Sequence, residues 1–136
     1  MFSVEVRVGR LLEIRLTAPV TLQDVQTAYD TIGQLFRKHH VKLVSAADLT
    51  HATVFSPDVA SKVLEAFKGD NPRLERSGIL VSNSAIFSLQ IERLIAQANN
   101  PQRRCFHDAF EMKTFLGTLL THEEHVRLAQ FLAGKP

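Results

Sequence analysis

The first sixteen residues alternate apolar and polar side chains with a period of two. Apolar residues occupy positions 2, 4, 6 and 8, and polar residues stand between them. The alternation resumes after Gly9-Arg10, with apolar residues at positions 12, 14 and 16. This spacing predicts two half-buried strands, because successive strand residues face opposite sides of a sheet. A glycine in first place of a two-residue loop is typical of a tight hairpin turn. The chain is therefore predicted to open with an antiparallel hairpin.

After the hairpin, helical and extended patterns alternate. Val41–Leu49 is apolar and small with little alternation, as in a central parallel strand. Helix starts are marked by capping residues, such as Thr21 with Asp24 and Ser56 before Pro57. The remaining predicted elements are a strand at Ser77–Ser82, a helix from Ile86 to Asn99, a strand at Arg104–His107, a helix after Asp108 and a terminal helix capped by Thr121 and Glu124.

This order, ββαβαβαβα plus a C-terminal helix, predicts a single α/β domain. Alternating strands and helices favour right-handed crossovers and a mostly parallel sheet covered on both faces. With the opening hairpin, the sheet is expected to be mixed. We assign residues 1–136 to this domain and residues 121–136 to the additional helix, since no linker or repeat interrupts the chain.

The composition excludes several classes of function. Lys and Arg total 16 against 14 acidic residues, with no basic stripe, so nucleic-acid binding is not expected. No apolar stretch approaches the 18 residues of a membrane span, and the N-terminus lacks the pattern of a signal peptide. The single cysteine, Cys105, precludes an internal disulfide. These features predict a cytoplasmic protein.

Two segments resemble the STAS and SpoIIAA-like domains, which include the anti-sigma factor antagonists. Asp48–Ser56 (DLTHATVFS) is similar to the family's Asp-Leu-Ser segment, which precedes a helix whose start holds a regulatory serine. Phe106-His107-Asp108, followed by Glu111, Phe115 and Leu116, is similar to the closing strand and helix of SpoIIAA-like proteins. The resemblance implies a STAS/SpoIIAA-like fold and a regulatory, non-enzymatic role in binding proteins.

The chain departs from the family at the position of the switchable serine. Ser56-Pro57-Asp58-Val59 stands where the family has an acid-serine-serine-glycine run. Proline has no hydroxyl group, and Ser56 is explained as a helix cap. We therefore do not expect switching by phosphorylation, although Asp58 could supply a permanent negative charge.

The segment from Thr50 to Asp58 is the main candidate site. It leaves the carboxyl end of a predicted strand, where ligands gather in open α/β sheets. Val54 and Phe55 are expected to be exposed, although Phe55 could instead staple the helix start. Asn83 and Ser84 follow the next strand and should lie at the same edge, where they could also cap a helix. The predicted partner- or ligand-binding residues are Thr50, His51, Thr53, Phe55, Ser56, Asp58, Asn83 and Ser84.

Other reactive residues favour structural roles. Cys105 and His107 share a strand face, but their Cα atoms are roughly 6.5 Å apart on the strand rise, too far for a catalytic pair. His122 and His125 could share a helix face, without the i, i+4 spacing of zinc-protease helices. The clusters 37–40 and 103–104 are basic, and they are either solvated surface or a docking surface for an acidic partner.

The sequence therefore predicts a non-enzymatic regulatory module that binds an unidentified protein partner, without cofactor or metal. Self-association through the apolar face of the terminal helix is a further expectation. The alternative is a sensor with a pocket between a helix and the sheet for a small apolar or acidic metabolite.

Overall fold

The computed structural model describes residues 1–136, which form five strands and five α-helices. The strands are β1 (Phe2–Val6), β2 (Leu11–Leu16), β3 (Leu43–Leu49), β4 (Leu74–Val81) and β5 (Arg103–Phe106). The helices are α1 (Leu22–Lys38), α2 (Pro57–Asp70), α3 (Ala85–Ala98), α4 (Ala109–Gly117) and α5 (His122–Leu132). A short 3-10 turn, Asn71–Arg73, joins α2 to β4.

All five strands belong to one sheet, in which they follow one another in chain order. β1 and β2 are antiparallel, whereas β2, β3, β4 and β5 run parallel to one another. Neighbouring parallel strands must be joined by a crossover connection that passes over one face of the sheet. The helices α1, α2 and α3 supply the three crossovers. The predicted α/β fold with a mixed sheet is confirmed.

The turn between β1 and β2 lies at Gly9-Arg10, as the alternating pattern predicts. The Leu11 amide donates to the Val8 carbonyl oxygen at 3.2 Å across these two residues. Gly9 has a φ of 55°, in the left-handed region that residues with a side chain rarely adopt. The backbone of this turn therefore favours glycine.

Helices cover both faces of the sheet, and the sheet separates the core into two parts. On one face, Ala47 of β3 packs among side chains of α1, α2 and α3, including Phe87. On the other face, its neighbour Ala46 packs with α4 and α5, including Leu128. Every residue of β3 is buried, because the strand is central and covered on both sides. The lack of alternation in this strand follows from that position.

Three of the parallel strands begin at different residues than the sequence pattern indicates. β4 begins at Leu74 rather than Ser77, β3 begins at Leu43 rather than Val41, and β5 begins at Arg103 rather than Arg104. The polar pair Glu75-Arg76 interrupts the apolar pattern at the start of β4, so the sequence does not reveal where the strand begins. The second of that pair, Arg76, donates through Nη1 to the Phe115 carbonyl oxygen at 2.7 Å. Its charged group thus lies at the margin of the core while its backbone belongs to the sheet.

The position of α5 against β2 changes the environment of Glu13. Period-two alternation predicts Glu13 on a polar outer face, but the residue is only 4% exposed. Arg127 of α5 donates to it twice, from Nε to Oε2 at 2.8 Å and from Nη2 to Oε1 at 2.6 Å. The prediction of a polar outer face is wrong here because the terminal helix covers it.

The apolar face of α5 is buried within the chain itself. Leu128 and Phe131 are almost fully buried, and they share a core cluster with Leu11 and Val44. Leu128 and Phe131 are therefore not available for self-association, whereas Val126 on the same helix is 46% exposed, so self-association itself stays a prediction.

Candidate functional site

The predicted site residues lie at one edge of the sheet, which we call the carboxyl edge. β3, β4 and β5 are parallel neighbours, so the segments that follow them leave the sheet side by side. We define the carboxyl edge as residues 50–58, 82–92 and 107–111. It contains the loops after the three strands and the first turns of α2, α3 and α4.

The beginning of the first loop is held against the end of β3. The Thr50 amide and hydroxyl both donate to Asp48 Oδ1, at 3.0 and 2.7 Å. The carbonyl oxygen of His51 accepts from the Ala18 amide at 2.9 Å, and the residue is exposed. Thr53 is also exposed. The side chains of His51 and Thr53 are therefore accessible to a binding partner. The Thr50 hydroxyl already donates a hydrogen bond to Asp48.

Phe55 does not have the exposed position that the sequence suggests. Its side chain is 5% exposed and meets the Phe87 ring edge to face, with the centroids 5.3 Å apart. The Gln90 side chain accepts from the Phe55 amide at 2.8 Å and donates to its carbonyl oxygen at 2.9 Å. Phe55 anchors the loop to α3, and the prediction that it is exposed is wrong. Val54, its neighbour, is 49% exposed.

Ser56 and Asp58 form a small polar cluster at the start of α2. Ser56 occupies the N-cap position, but its hydroxyl donates to Asp58 Oδ1 at 2.6 Å and does not accept from a helix amide. That hydrogen bond, together with one from the Val59 amide, lowers the pKa of the Asp58 carboxyl below its ordinary value. Asp58 therefore carries a negative charge at neutral pH on the exposed edge.

Asn83 and Ser84 lie in the loop after β4, and both are exposed. The Ser84 hydroxyl accepts from the Phe87 amide at 3.3 Å, so this residue caps α3. This capping hydrogen bond explains a serine at this position without a role in ligand binding. Asn83 lies beside His107 in a shallow surface depression.

The carboxyl edge also presents large apolar side chains to solvent. Ile86 and Phe110 are 73% and 70% exposed, and Val54 and Leu89 are each 49% exposed. Helical spacing groups Ile86, Leu89 and Phe110 with residues that are buried, so sequence reasoning missed them. A positional signal was present, because Ile86 and Phe110 each stand two residues after a helix cap, Ser84 and Asp108.

The charges on this edge have one sign. Its segments contain four carboxylates, of Asp58, Glu92, Asp108 and Glu111, and no Lys or Arg. All four residues are exposed. The edge therefore combines exposed apolar side chains with a negative rim.

The remaining candidate residues lie in environments that favour structural roles over catalysis or metal binding. Burial raises the pKa of the Cys105 thiol to about 11, and Glu92 adds to this effect, so the reactive thiolate is disfavoured. His125 Nε2 hydrogen-bonds to the Gly117 carbonyl oxygen at 2.8 Å. No three His, Cys, Asp or Glu side chains are grouped as metal ligands. Arg103 is 3% exposed, so the interpretation of 103–104 as a cationic surface cluster is wrong.

Comparison with known proteins adds no family to this description. No protein-family model matches the chain, and no curated protein matches it. Among its helices, none combines the length and apolar character needed to cross a membrane.

Proposed function

We propose that the chain is a non-enzymatic regulatory module that binds a protein partner through its carboxyl edge. The observation that carries this proposal is the grouping of Val54, Ile86, Leu89 and Phe110 as exposed apolar side chains on the segments that leave neighbouring strands. Exposed apolar residues rimmed by polar ones are typical of protein interfaces.

The charges of the edge favour a partner with an apolar and basic surface. Four carboxylates and no cationic side chain would attract Lys and Arg of the partner and steer the encounter. A second copy of this chain, docked edge to edge, would bring like charges together. We therefore favour a different protein over a symmetric homodimer at this surface.

The resemblance to STAS and SpoIIAA-like domains supports the same function. In this chain the helix start after β3 has Ser56 bonded to Asp58, and Pro57 at the first helical position. A fixed carboxylate thus occupies the region where the family places its switchable serine. We infer that binding here does not depend on serine phosphorylation.

The proposal is tested by replacing the most exposed apolar residues of the edge. Ile86→Ser together with Phe110→Ser should lose ~2 kcal/mol or more of binding free energy, because central apolar residues dominate most interfaces. Immobilised wild-type and variant proteins are exposed to extract from the source cells, and the retained proteins are quantified by mass spectrometry. Captured proteins should also elute as ionic strength rises, since salt screens the acidic rim.

A matched control uses exposed apolar residues far from the carboxyl edge. Val41→Ser together with Val126→Ser removes side chains that are 59% and 46% exposed, and should leave capture unchanged. Circular dichroism verifies that both variants are folded. Equal capture by the wild type and by the Ile86/Phe110 variant would show that the partner binds elsewhere.

A further inference from the structure

A partly open cavity lies between α1, α2 and the sheet. Its volume is about 80 Å³, and most of the residues that line it are apolar. The polar exceptions are Tyr29, Ser45, Asp70, Ser77 and Arg103. A cavity of this size exceeds the ~10–15 Å³ that one water molecule needs, and is about half of one that holds benzene. Benzene has six non-hydrogen atoms, so a cavity of half that size suits a molecule of roughly three.

Arg103 brings an unused hydrogen-bond donor to this cavity. Its side chain is buried, with Nη1 donating to Asn71 Oδ1 at 2.7 Å and the guanidinium 4.4 Å from the centroid of the Phe67 ring. Its Nε is buried and has no hydrogen-bond partner. A buried donor without a partner reduces stability by ~1–3 kcal/mol, and a ligand that accepts from Nε–H would remove this cost.

Asp70 supplies the complementary acceptor. It is 7% exposed and lines the same cavity. Neither a hydrogen bond nor an ion pair joins it to Arg103, although the field of Arg103 acts on it. Burial raises the pKa of its carboxyl to about 7, against that field. The cavity thus presents Arg103 Nε–H as a donor and the Asp70 carboxyl as an acceptor, and no hydrogen bond joins the two.

Access to the cavity leads between α1 and α2. Tyr29 and Asp70 line both the cavity and an open groove on the surface, which also includes Gly33 and Gly69. A Cβ atom at Gly69 would lie 2.0 Å from the Tyr29 hydroxyl oxygen, so the absence of a side chain there makes room for the tyrosine. The groove and the cavity therefore adjoin at Tyr29 and Asp70.

We propose that this cavity binds a small neutral molecule with an apolar body and one hydroxyl group, such as a short aliphatic alcohol. The hydroxyl oxygen would accept from Arg103 Nε–H, and its hydrogen would be donated to Asp70. The apolar body would fill the remaining space among the side chains of the two helices and the sheet. This site shares only Phe55 with the carboxyl edge, and it goes beyond the function proposed for that edge.

The balance of charge decides between a neutral and an ionised ligand. At pH 8, above the pKa of Asp70, the two charged groups of the cavity are Arg103 and ionised Asp70, and their formal charges cancel. An alkyl carboxylate or alkylammonium of the same size would add an uncompensated charge, which is costly to remove from water. At this pH the acidic metabolite anticipated from sequence is therefore disfavoured.

Tyr29 provides a direct readout, because the chain has one tyrosine and no tryptophan. At pH 8 we expect ethanol to change the tyrosine fluorescence of the full chain saturably at millimolar concentrations. Acetate and ethylammonium should bind at least tenfold more weakly at the same pH. A linear response to ethanol without saturation, or equal binding of either charged compound, would overturn the proposal.

Variants locate the binding in the cavity. Ala66→Val places two further methyl groups at a lining position and should weaken ethanol binding at least tenfold. Ala96→Val makes the same change at an exposed position of α3 and should have no effect. Arg103→Lys keeps the positive charge but lacks Nε–H, and should weaken binding at least fivefold. Wild-type affinity in the folded Ala66→Val or Arg103→Lys protein would overturn the assignment to this cavity.

Discussion

Two buried carboxylates, Glu13 and Asp70, illustrate how one residue type can have opposite roles. Glu13 accepts two hydrogen bonds from Arg127, in the parallel geometry that matches a guanidinium to a carboxylate. Asp70 is buried to a similar degree but has no such partner. Its charged form is therefore disfavoured in the folded state, whereas the charge of Glu13 is compensated.

The raised pKa of Asp70 predicts a specific dependence of stability on pH. The folded chain holds this proton more tightly than the unfolded chain, because the pKa rises from 3.8 to about 7. Ionisation of Asp70 thus reduces the free energy of unfolding as pH rises between these values, by ~4 kcal/mol at most. Asp70→Asn should be more stable than the wild type at pH 8, and this advantage should shrink towards pH 4.

Urea unfolding at a series of pH values measures this effect. Asp30→Asn, at an exposed position of α1, is the matched control and should follow the wild-type profile. A constant difference between wild type and Asp70→Asn at all pH values would contradict the assignment, because it would show that ionisation of Asp70 is not involved.

The pair formed by Glu13 and Arg127 predicts strongly non-additive effects. Arg127→Met leaves a buried carboxylate without its partner and should reduce the free energy of unfolding by ~3–5 kcal/mol. Glu13→Leu combined with Arg127→Met removes both charges and should recover most of that loss. Chemical denaturation of the single and double variants gives the coupling energy. Additive losses would indicate that the two side chains do not interact in solution.

At the scale of elements, α5 is joined to the opening hairpin by Glu124. Its carboxylate accepts from the Thr121 amide at 2.8 Å and from the Arg10 amide at 2.7 Å. Burial acts to raise the pKa of this carboxyl, but hydrogen bonds from Thr121 and Arg10 outweigh it, so the pKa is lowered. A Cβ atom at Gly9 would lie 2.1 Å from this carboxylate, so the hairpin turn fits closely against the helix start.

Glu124→Ala should therefore destabilise the chain by ~2–3 kcal/mol, because it removes the acceptor of two amides and half of a capping box. Glu123→Ala, one residue earlier and exposed, should cost well under ~1 kcal/mol. Because the folded pKa of Glu124 is depressed, its contribution should disappear as pH falls through that value. Thermal unfolding of both variants, at neutral and acidic pH, tests the difference. Equal losses would contradict it.

Local patterns allow most of the elements of this fold to be predicted. Alternation predicts the hairpin, and capping residues predict the starts of α1, α2 and α5, because these signals involve residues close in sequence. The environment of Glu13 could not be predicted in this way. It depends on a helix more than a hundred residues later in the chain, and no local pattern carries that information.

The candidate site was predictable in position but less so in detail. Parallel strands bring Thr50 and Asn83 to one edge whatever their side chains contact. The burial of Phe55 depends on Gln90 and Phe87 of another helix, so its neighbours in sequence do not reveal it. The exposure of Phe110 follows from where α4 begins on the sheet, which helical spacing alone does not specify.

At the scale of the whole molecule, the sheet separates two kinds of interior. The side covered by α4 and α5 contains the compensated pair Glu13–Arg127 at its margin. The side covered by α1, α2 and α3 contains the cavity with Asp70 and Arg103. We therefore expect changes in the first region to affect stability, and changes in the second to affect binding as well.

Phe55 links the interior to the carboxyl edge. Its ring lines the cavity, its backbone is bonded to Gln90, and Val54 beside it is exposed. Thermodynamic linkage is reciprocal, so a partner that restrains this loop changes the affinity of the cavity by the same factor that an occupied cavity changes the affinity for the partner. If both proposals hold, we expect an occupied cavity to change the affinity of this surface loop for its partner through Phe55.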